Sequence, residues 1–196
     1  MEKKIKVVKG NGNLENKEKV IEILMTAFNK KFSSVIKNEE KLRKLMKKYI
    51  NFENAFYCYY EGEIVGVLGF ESKNKKFDKI NFWTLLFEIG IIKMIKTILL
   101  YAPFSRKLKE NEIRIIAIAV DENKRGLGIG THLLQKFYNY SREEKFQKIL
   151  LEVVDTNPKA KKLYKEHNFK DSNYIKLDSR HKAAGFNGVY FMEKNL

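Results

Sequence analysis

Apolar positions along the chain repeat with two different periods, and the switches between them divide it into elements. Val20, Ile21, Leu24, Ala27 and Phe28 recur at three- and four-residue spacing, which predicts a helix over 13–29. Leu42, Leu45, Met46 and Tyr49 predict a second over 39–50. Residues 5–8 alternate weakly, as a short strand does. Residues 55–60 and 64–70 are aromatic and β-branched runs flanking Glu61-Gly62-Glu63, the pattern of a hairpin. A third such run, 113–120, leads into Arg125-Gly126-Leu127-Gly128-Ile129-Gly130. Helical spacing then returns over 131–140 through Leu133, Leu134, Phe137 and Tyr138. A strand at 149–154, a helix opened by Asn157-Pro158, and strands near 174–177 and 189–193 complete the order.

Strand, glycine-rich turn and helix start thus follow one another between 113 and 140. Small residues let a ligand approach the backbone, and the first N–H groups of a helix have no acceptor within it. Such a turn suits a phosphate. A P-loop needs a Lys-Ser/Thr pair at its end, where this chain has Thr131-His132. A dinucleotide fingerprint needs G-x-G-x-x-G, and the spacing here is Gly126-x-Gly128-x-Gly130.

The pattern Arg-x-x-Gly-x-Gly after a strand resembles the pyrophosphate-binding motif of the GNAT superfamily of acyl-CoA N-acyltransferases. A second block, from Asn157 to Phe169, resembles that superfamily's Asn-x-x-Ala-x-x-Leu-Tyr-x-x-x-Gly-Phe motif through Asn157, Ala160, Leu163, Tyr164 and Phe169. It departs at Asn168, where Gly is usual; the position ends a helix in the left-handed region, which Asn tolerates. The resemblance is strong over about 112–169 and elsewhere a matter of layout. It implies an α/β (α+β) fold: a mixed, mainly antiparallel central sheet flanked by helices, with a helical insertion at about 72–111 before the fourth strand.

The same resemblance implies an N-acetyltransferase that moves an acetyl group from acetyl-CoA, as co-substrate, to a primary amine by direct attack. Backbone amides of Arg125, Gly126, Leu127, Gly128, Ile129, Gly130 and Thr131 would hold the pyrophosphate. The backbone of Ile118, Ala119 and Val120 would pair with the pantetheine arm, and Asn157 would contact it. Tyr164 takes the place of the tyrosine that protonates the departing thiolate; a phenol with pKa of about 10 is a donor at neutral pH. Glu112, at the strand start, resembles the glutamate base of histone-type members. A non-catalytic acyl-CoA-binding or regulatory module and a membrane-surface-associated acyltransferase are the alternatives.

Residues 82–101 of the insertion are apolar enough to raise the question of a membrane span. Glu88 and Lys93 stand near its middle, where an Asp or Lys costs about 2.5–3.5 kcal/mol. Thr84, Glu88, Lys93 and Thr97 trace one polar stripe instead, predicting one or two amphipathic helices ending near Pro103. Packing on the chain itself is the first expectation for the apolar face. A homodimer contact, a roof over the acceptor and peripheral membrane contact through 82–101 are the others.

Composition bounds the rest. The 196 residues suit one domain, 1–196, and 44% hydrophobic with 13% aromatic content suits a folded one. The formal charge is +15, yet only six of the 39 basic residues are Arg, the planar reader of phosphate and guanine, so a nucleic-acid partner is not expected. Cys58 is the single cysteine and reads as strand packing. His132, His167 and His181 lack metal-ligand spacing, and no metal is expected. No apolar leader follows Met1-Glu2-Lys3-Lys4, so a cytoplasmic protein is expected. Phe28, Phe32, Trp83 and Tyr190 are the aromatic candidates for acceptor contact.

Overall fold

The computed structural model describes residues 5–11, 14–80, 82–90, 92, 94–95, 97–98, 106–177 and 185–196. Asn13, Lys93, Pro103 and His181, on which sequence expectations fall, lie outside these, as does the side chain of Trp83.

Seven strands form one sheet in the order β1-β2-β3-β4-β5-β7-β6. They are β1 (Ile5–Lys9), β2 (Ala55–Tyr60), β3 (Glu63–Ser72), β4 (Glu112–Val120), β5 (Lys148–Val154), β6 (Lys170–Lys176) and β7 (Gly188–Asn195). All neighbours run antiparallel except β4 and β5, which are parallel. The expected mixed, mainly antiparallel sheet is therefore present. β2 and β3 are joined by the expected tight turn, with Glu61 at φ 52° and Gly62 at φ 85°, the left-handed pair that a two-residue hairpin favours.

Helices cover both faces. On one lie α1 (Lys17–Ala27) and α3 (Glu39–Tyr49), with the short α2 (Asn29–Ser33) between them. Val20, Ile21, Leu24, Leu42 and Met46 pack there on Tyr57, Ile64, Val67, Ala117 and Ala119. On the other face α5 (Ile129–Glu143) inserts Leu133, Leu134 and Phe137 among Phe56, Leu68, Phe70, Ile113 and Ile115. The α6 helix (Pro158–Glu166) adds Tyr164 to that cluster. A strand covered on both sides cannot alternate, and β3 is buried at every residue after Glu63.

The first helix starts at Lys17, later than expected, and breaks at Phe28, whose φ of −117° leaves the helical region. Between β3 and β4, α4 (Phe82–Ile89) ends at Gly90 with φ 77°, and the Met94 N–H donates to Gly90 O beyond it. A left-handed glycine stops a helix, so the apolar stretch is interrupted rather than continuous. Three residues of its polar stripe, Thr84, Glu88 and Thr97, are half-buried. Glu88 accepts hydrogen bonds from Lys48 Nζ at 2.8 Å and Tyr49 Oη at 2.7 Å, tying α4 to α3. No helix among the described residues is long and apolar enough to cross a membrane.

Candidate active site

The sheet has an opening in its middle. β4 and β5 pair only over Glu112–Ile115 with Lys148–Leu151. Beyond that, β4 continues on β3 alone, while Glu152, Val153 and Val154 of β5 pair with β7 alone. The divergence starts at a bulge: Gly69 opposes Ala117 and Phe70 opposes Ile115, leaving Ile116 without a partner on β3. An extra residue bends its strand and increases the local twist. Ile116, in a central strand, is 38% exposed. Ile118 and Val120, further along, are only half-buried. Alternate backbone N–H and C=O groups from Ile116 to Val120 therefore face a gap rather than a neighbouring strand. Such groups call for an extended partner. The expectation for Ile118, Ala119 and Val120 falls on this stretch.

The glycine turn closes one end of the gap. Asp121 begins it, accepting from Asn123 N at 3.1 Å, donating its own N–H to Val65 O at 2.8 Å and pairing with Lys19 of α1 at 3.0 Å. The Lys19 ammonium holds the Asp121 carboxyl below the usual carboxylate range. Gly126 at φ 85° and Gly128 at φ 73° are both left-handed, and Gly128 is the N-cap of α5 without a side-chain cap. The first helical bond is from His132 N to Gly128 O, so the N–H groups of Ile129, Gly130 and Thr131 have no acceptor within the helix. A Cβ on Gly126 would meet nothing within 4 Å, leaving the outer side of the turn open to a ligand. Arg125 is exposed and pairs with Glu122 at 3.3 Å. Its main chain, at ψ 152°, aims the turn toward α5.

Packing brings the second motif to the same place. A Cβ on Gly130 would sit 3.1 Å from Leu163 Cδ2, so α6 approaches the first turn of α5 closely. His167 Nε2 lies 3.3 Å from Thr131 Oγ1, a second tie between the end of α6 and the start of α5. Asn157 caps α6, its Oδ1 accepting from Ala160 N at 3.1 Å, and Pro158 occupies the first turn. Asn168 is left-handed at φ 64°, as the departure from Gly requires. Tyr164, next to Leu163, is 7% exposed, with its ring edge-on to Phe169 at 5.8 Å. Burial pushes its phenol up, so it stays protonated well past neutrality.

The opposite face of the sheet carries a charge cluster that sequence reasoning missed. Glu71, Arg114 and Leu150 stand side by side on β3, β4 and β5, and Glu152 follows two residues later on the same face. Arg114 donates Nε and Nη2 to Glu71 Oε1, the former at 3.0 Å, and Nη1 to Glu152 Oε1 at 3.2 Å. Burial pulls the guanidinium down, but Glu152 and Glu71 outweigh it and the net shift is upward. Glu152 is the first β5 residue past the last β4 pair, at the edge of the opening. Charged residues inside three otherwise apolar strands were the available signal.

Glu112 lies elsewhere. It begins β4, four residues or about 13 Å before Ile116. It is 3% exposed and accepts from Lys109 N at 3.0 Å and Arg106 Nη2 at 3.3 Å. It lines an open cleft of about 380 Å³ with Lys109, Asn111, Gln147, Lys148 and Asn195, at the end of the strand pair away from the glycine turn. The structure brings Tyr164, Asn157, the glycine turn and Ile118–Val120 together, and sets Glu112 apart from them.

Among the aromatic candidates, Phe28 and Phe32 pack edge-on to each other at 6.2 Å beside the α1 core. Tyr190 stacks on Tyr174 at 4.6 Å. Cys58 is buried, and burial pushes its thiol up to about 11, away from nucleophilic use at neutral pH.

The model of the Acetyltransferase (GNAT) family matches residues 18–169. No match was found among curated protein sequences. Solved structures share the fold along nearly the whole chain. Ard1 from Thermoplasma volcanium has a TM-score of 0.62 at 17% identity, covering 99% of both chains. Arabidopsis thaliana Naa50, in complex with the bisubstrate analogue CoA-Ac-MVNAL, has a TM-score of 0.57 at 17% identity, covering 99% of this chain and 100% of that one. The ribosomal-protein-S18-alanine N-acetyltransferase from Escherichia coli has 0.54 at 13%, covering 97% and 93%.

Proposed function

This chain belongs to the acetyltransferase (GNAT) family, and from that premise we propose that it moves an acetyl group from acetyl-CoA to a primary amine by direct attack in a ternary complex. The observation that carries the reading is the opening between β4 and β5, with Tyr164 on one face of the sheet and Glu152 on the other. An acyl donor laid along Ile116–Val120 pairs with that backbone. Its pyrophosphate rests on the amides from Arg125 to Thr131, and its thioester sits where the strands part. Asn157, whose Oδ1 caps α6, keeps its side-chain amide N–H groups for the arm.

The acceptor enters from the Glu152 face. Glu152 takes a proton from the ammonium, directly or through one water, and the neutral nitrogen attacks the thioester carbon. An N–H at the bulge is placed to stabilise the oxyanion. As the C–S bond breaks, sulfur takes the proton of Tyr164 Oη. The tyrosinate recovers a proton from the nitrogen that has become the amide. Burial makes this phenol a weaker acid than usual, so it gives up its proton only as charge reaches sulfur. Glu112 is the second carboxylate candidate for the base; its distance along β4 from the opening favours Glu152.

Calorimetry with acetyl-CoA and with coenzyme A, followed by thiol release with a panel of amines, tests the proposal. Micromolar binding, lost on replacing Gly126 and Gly128 by Val, together with amine-dependent thiol release, is the expected result. Binding without release for any amine would favour the non-catalytic acyl-CoA-binding alternative. No binding by folded protein at low salt would overturn the reading.

A further inference from the structure

The Arg114 cluster is unusual within this molecule. Its two ion pairs join side chains that are 9% exposed for Arg114, 11% for Glu71 and 12% for Glu152. In the other ion pairs between described residues at least one side chain is 30% exposed or more. Burying charge in this way is costly, and apolar residues of similar volume usually serve stability as well or better. The cluster also sits at one particular place, on the last rungs of the β4–β5 pairing before the sheet opens.

Geometry divides the guanidinium's work. Nε and Nη2 both go to a single oxygen of Glu71, which fixes the guanidinium plane from β3. Lys76 reaches the other Glu71 oxygen at 3.5 Å, so Glu71 is neutralised from two sides. Nη1 reaches from β4 to Glu152 Oε1 on β5. A planar, always-charged fork anchored at one end suits the task of aiming a carboxylate at the other.

We propose that Arg114, held by Glu71, is the positioning residue of the transfer site: it fixes the Glu152 carboxylate at the opening and sets the pH at which that carboxylate is free to take a proton. The inference rests on the proposed transfer reaction and on Glu152 as its base. It makes predictions of opposite sign for two neighbours. Replacing Arg114 by Met removes the cation but not the burial, so the acidic limb of kcat/KM moves up by about one pH unit or more. Replacing Glu71 by Gln removes one anion that shares the guanidinium charge with Glu152, so the limb moves down. Arg114→Lys keeps the charge without the fork; its limb stays near that of the parent while kcat falls roughly tenfold or more.

The test is the pH profile of thiol release from acetyl-CoA, with spermidine and a hexapeptide bearing a free α-amine as probe acceptors. The parent, R114M, R114K, E71Q and E152Q are compared, each checked for acetyl-CoA affinity by calorimetry and for folding by thermal melting. Opposite shifts in R114M and E71Q, with the acidic limb abolished in E152Q, support the inference. An acidic limb unchanged in E71Q, together with a parent-like kcat in R114K, overturns it, even should R114M fail to fold. A parent-like profile in E152Q removes Glu152 as the base, and the positioning role with it, while leaving the transfer reaction standing. Absence of thiol release by parent enzyme that binds acetyl-CoA defeats the transfer reading itself.

Discussion

Replacing Tyr164 by Phe removes one hydroxyl and keeps the ring, which separates the acid role from packing. The ring carries the structural part: it is buried in the α5–α6 core and meets Phe169 edge-on at 5.8 Å. Keeping it leaves stability within about 1 kcal/mol, a melting change of roughly 2–4 °C for a chain of this size. The glycine turn is untouched, so acetyl-CoA affinity stays within about twofold. Turnover behaves differently if the phenol protonates sulfur. A positioned acid contributes about 10²- to 10⁴-fold, equivalent to roughly 2.7–5.5 kcal/mol of barrier.

Three measurements on Y164F decide the matter: calorimetric acetyl-CoA affinity, thermal melting, and kcat for thiol release from pH 6 to 10. The expected outcome is unchanged affinity and melting with kcat at least a hundredfold lower. Burial raises the phenol above its ordinary value, so the parent enzyme shows no alkaline limb from Tyr164 below pH of about 10. Unchanged kcat in Y164F would refute the acid role and leave Tyr164 as a packing residue beneath the donor. Tyr164→Ala makes a poor substitute, because an aromatic-to-Ala cavity costs about 3–5 kcal/mol and would obscure the chemistry.

Three other outcomes follow from the same site. Gly128→Ala forces a Cβ into the left-handed region at φ 73°, costing about 1–2 kcal/mol of stability in a thermal melt; calorimetry should show acetyl-CoA affinity falling at the same time. Glu112→Gln and Glu152→Gln, compared side by side, should lower kcat about a hundredfold or more only in E152Q, with E112Q instead lowering the melting temperature through its broken pair with Arg106; a kcat loss confined to E112Q would move the base to Glu112. His167 is held below its ordinary pKa by burial and by Lys194, so the unfolded chain takes up the proton first. Stability from this group is complete above about pH 6.5 and is lost as pH falls below it; denaturant titrations at pH 7.5 and 5.5 should show a smaller loss in His167→Gln than in the parent.

What could be read in the sequence depended on how local its physical cause was. The glycine turn, α5 and the capped start of α6 were legible because backbone conformation, capping and apolar spacing agree within a dozen residues. The left-handed Asn168 was legible for the same reason. β6 was legible only at its end: Lys170–Lys176 is an edge strand exposed at nearly every residue, so no apolar alternation marks where it begins.

The opening itself has no local signature. Ile113 to Val120 reads as one uninterrupted strand, with neither Gly nor Pro at the bulge. Only the register against β3, where Gly69 meets Ala117 and Phe70 meets Ile115, reveals that Ile116 is extra. Glu71 and Glu152 stand 43 and 38 residues from Arg114, and only the order of the strands makes them neighbours. A resemblance carried by motifs therefore pointed to a turn for the donor's phosphate and to a tyrosine for the acid, both set by local chain. It placed the base at the start of the strand. The carboxylate that sheet pairing brings to the gap comes from the next strand instead. In the proposed site the donor half is written along the chain, and the half that would deprotonate the acceptor is written across it.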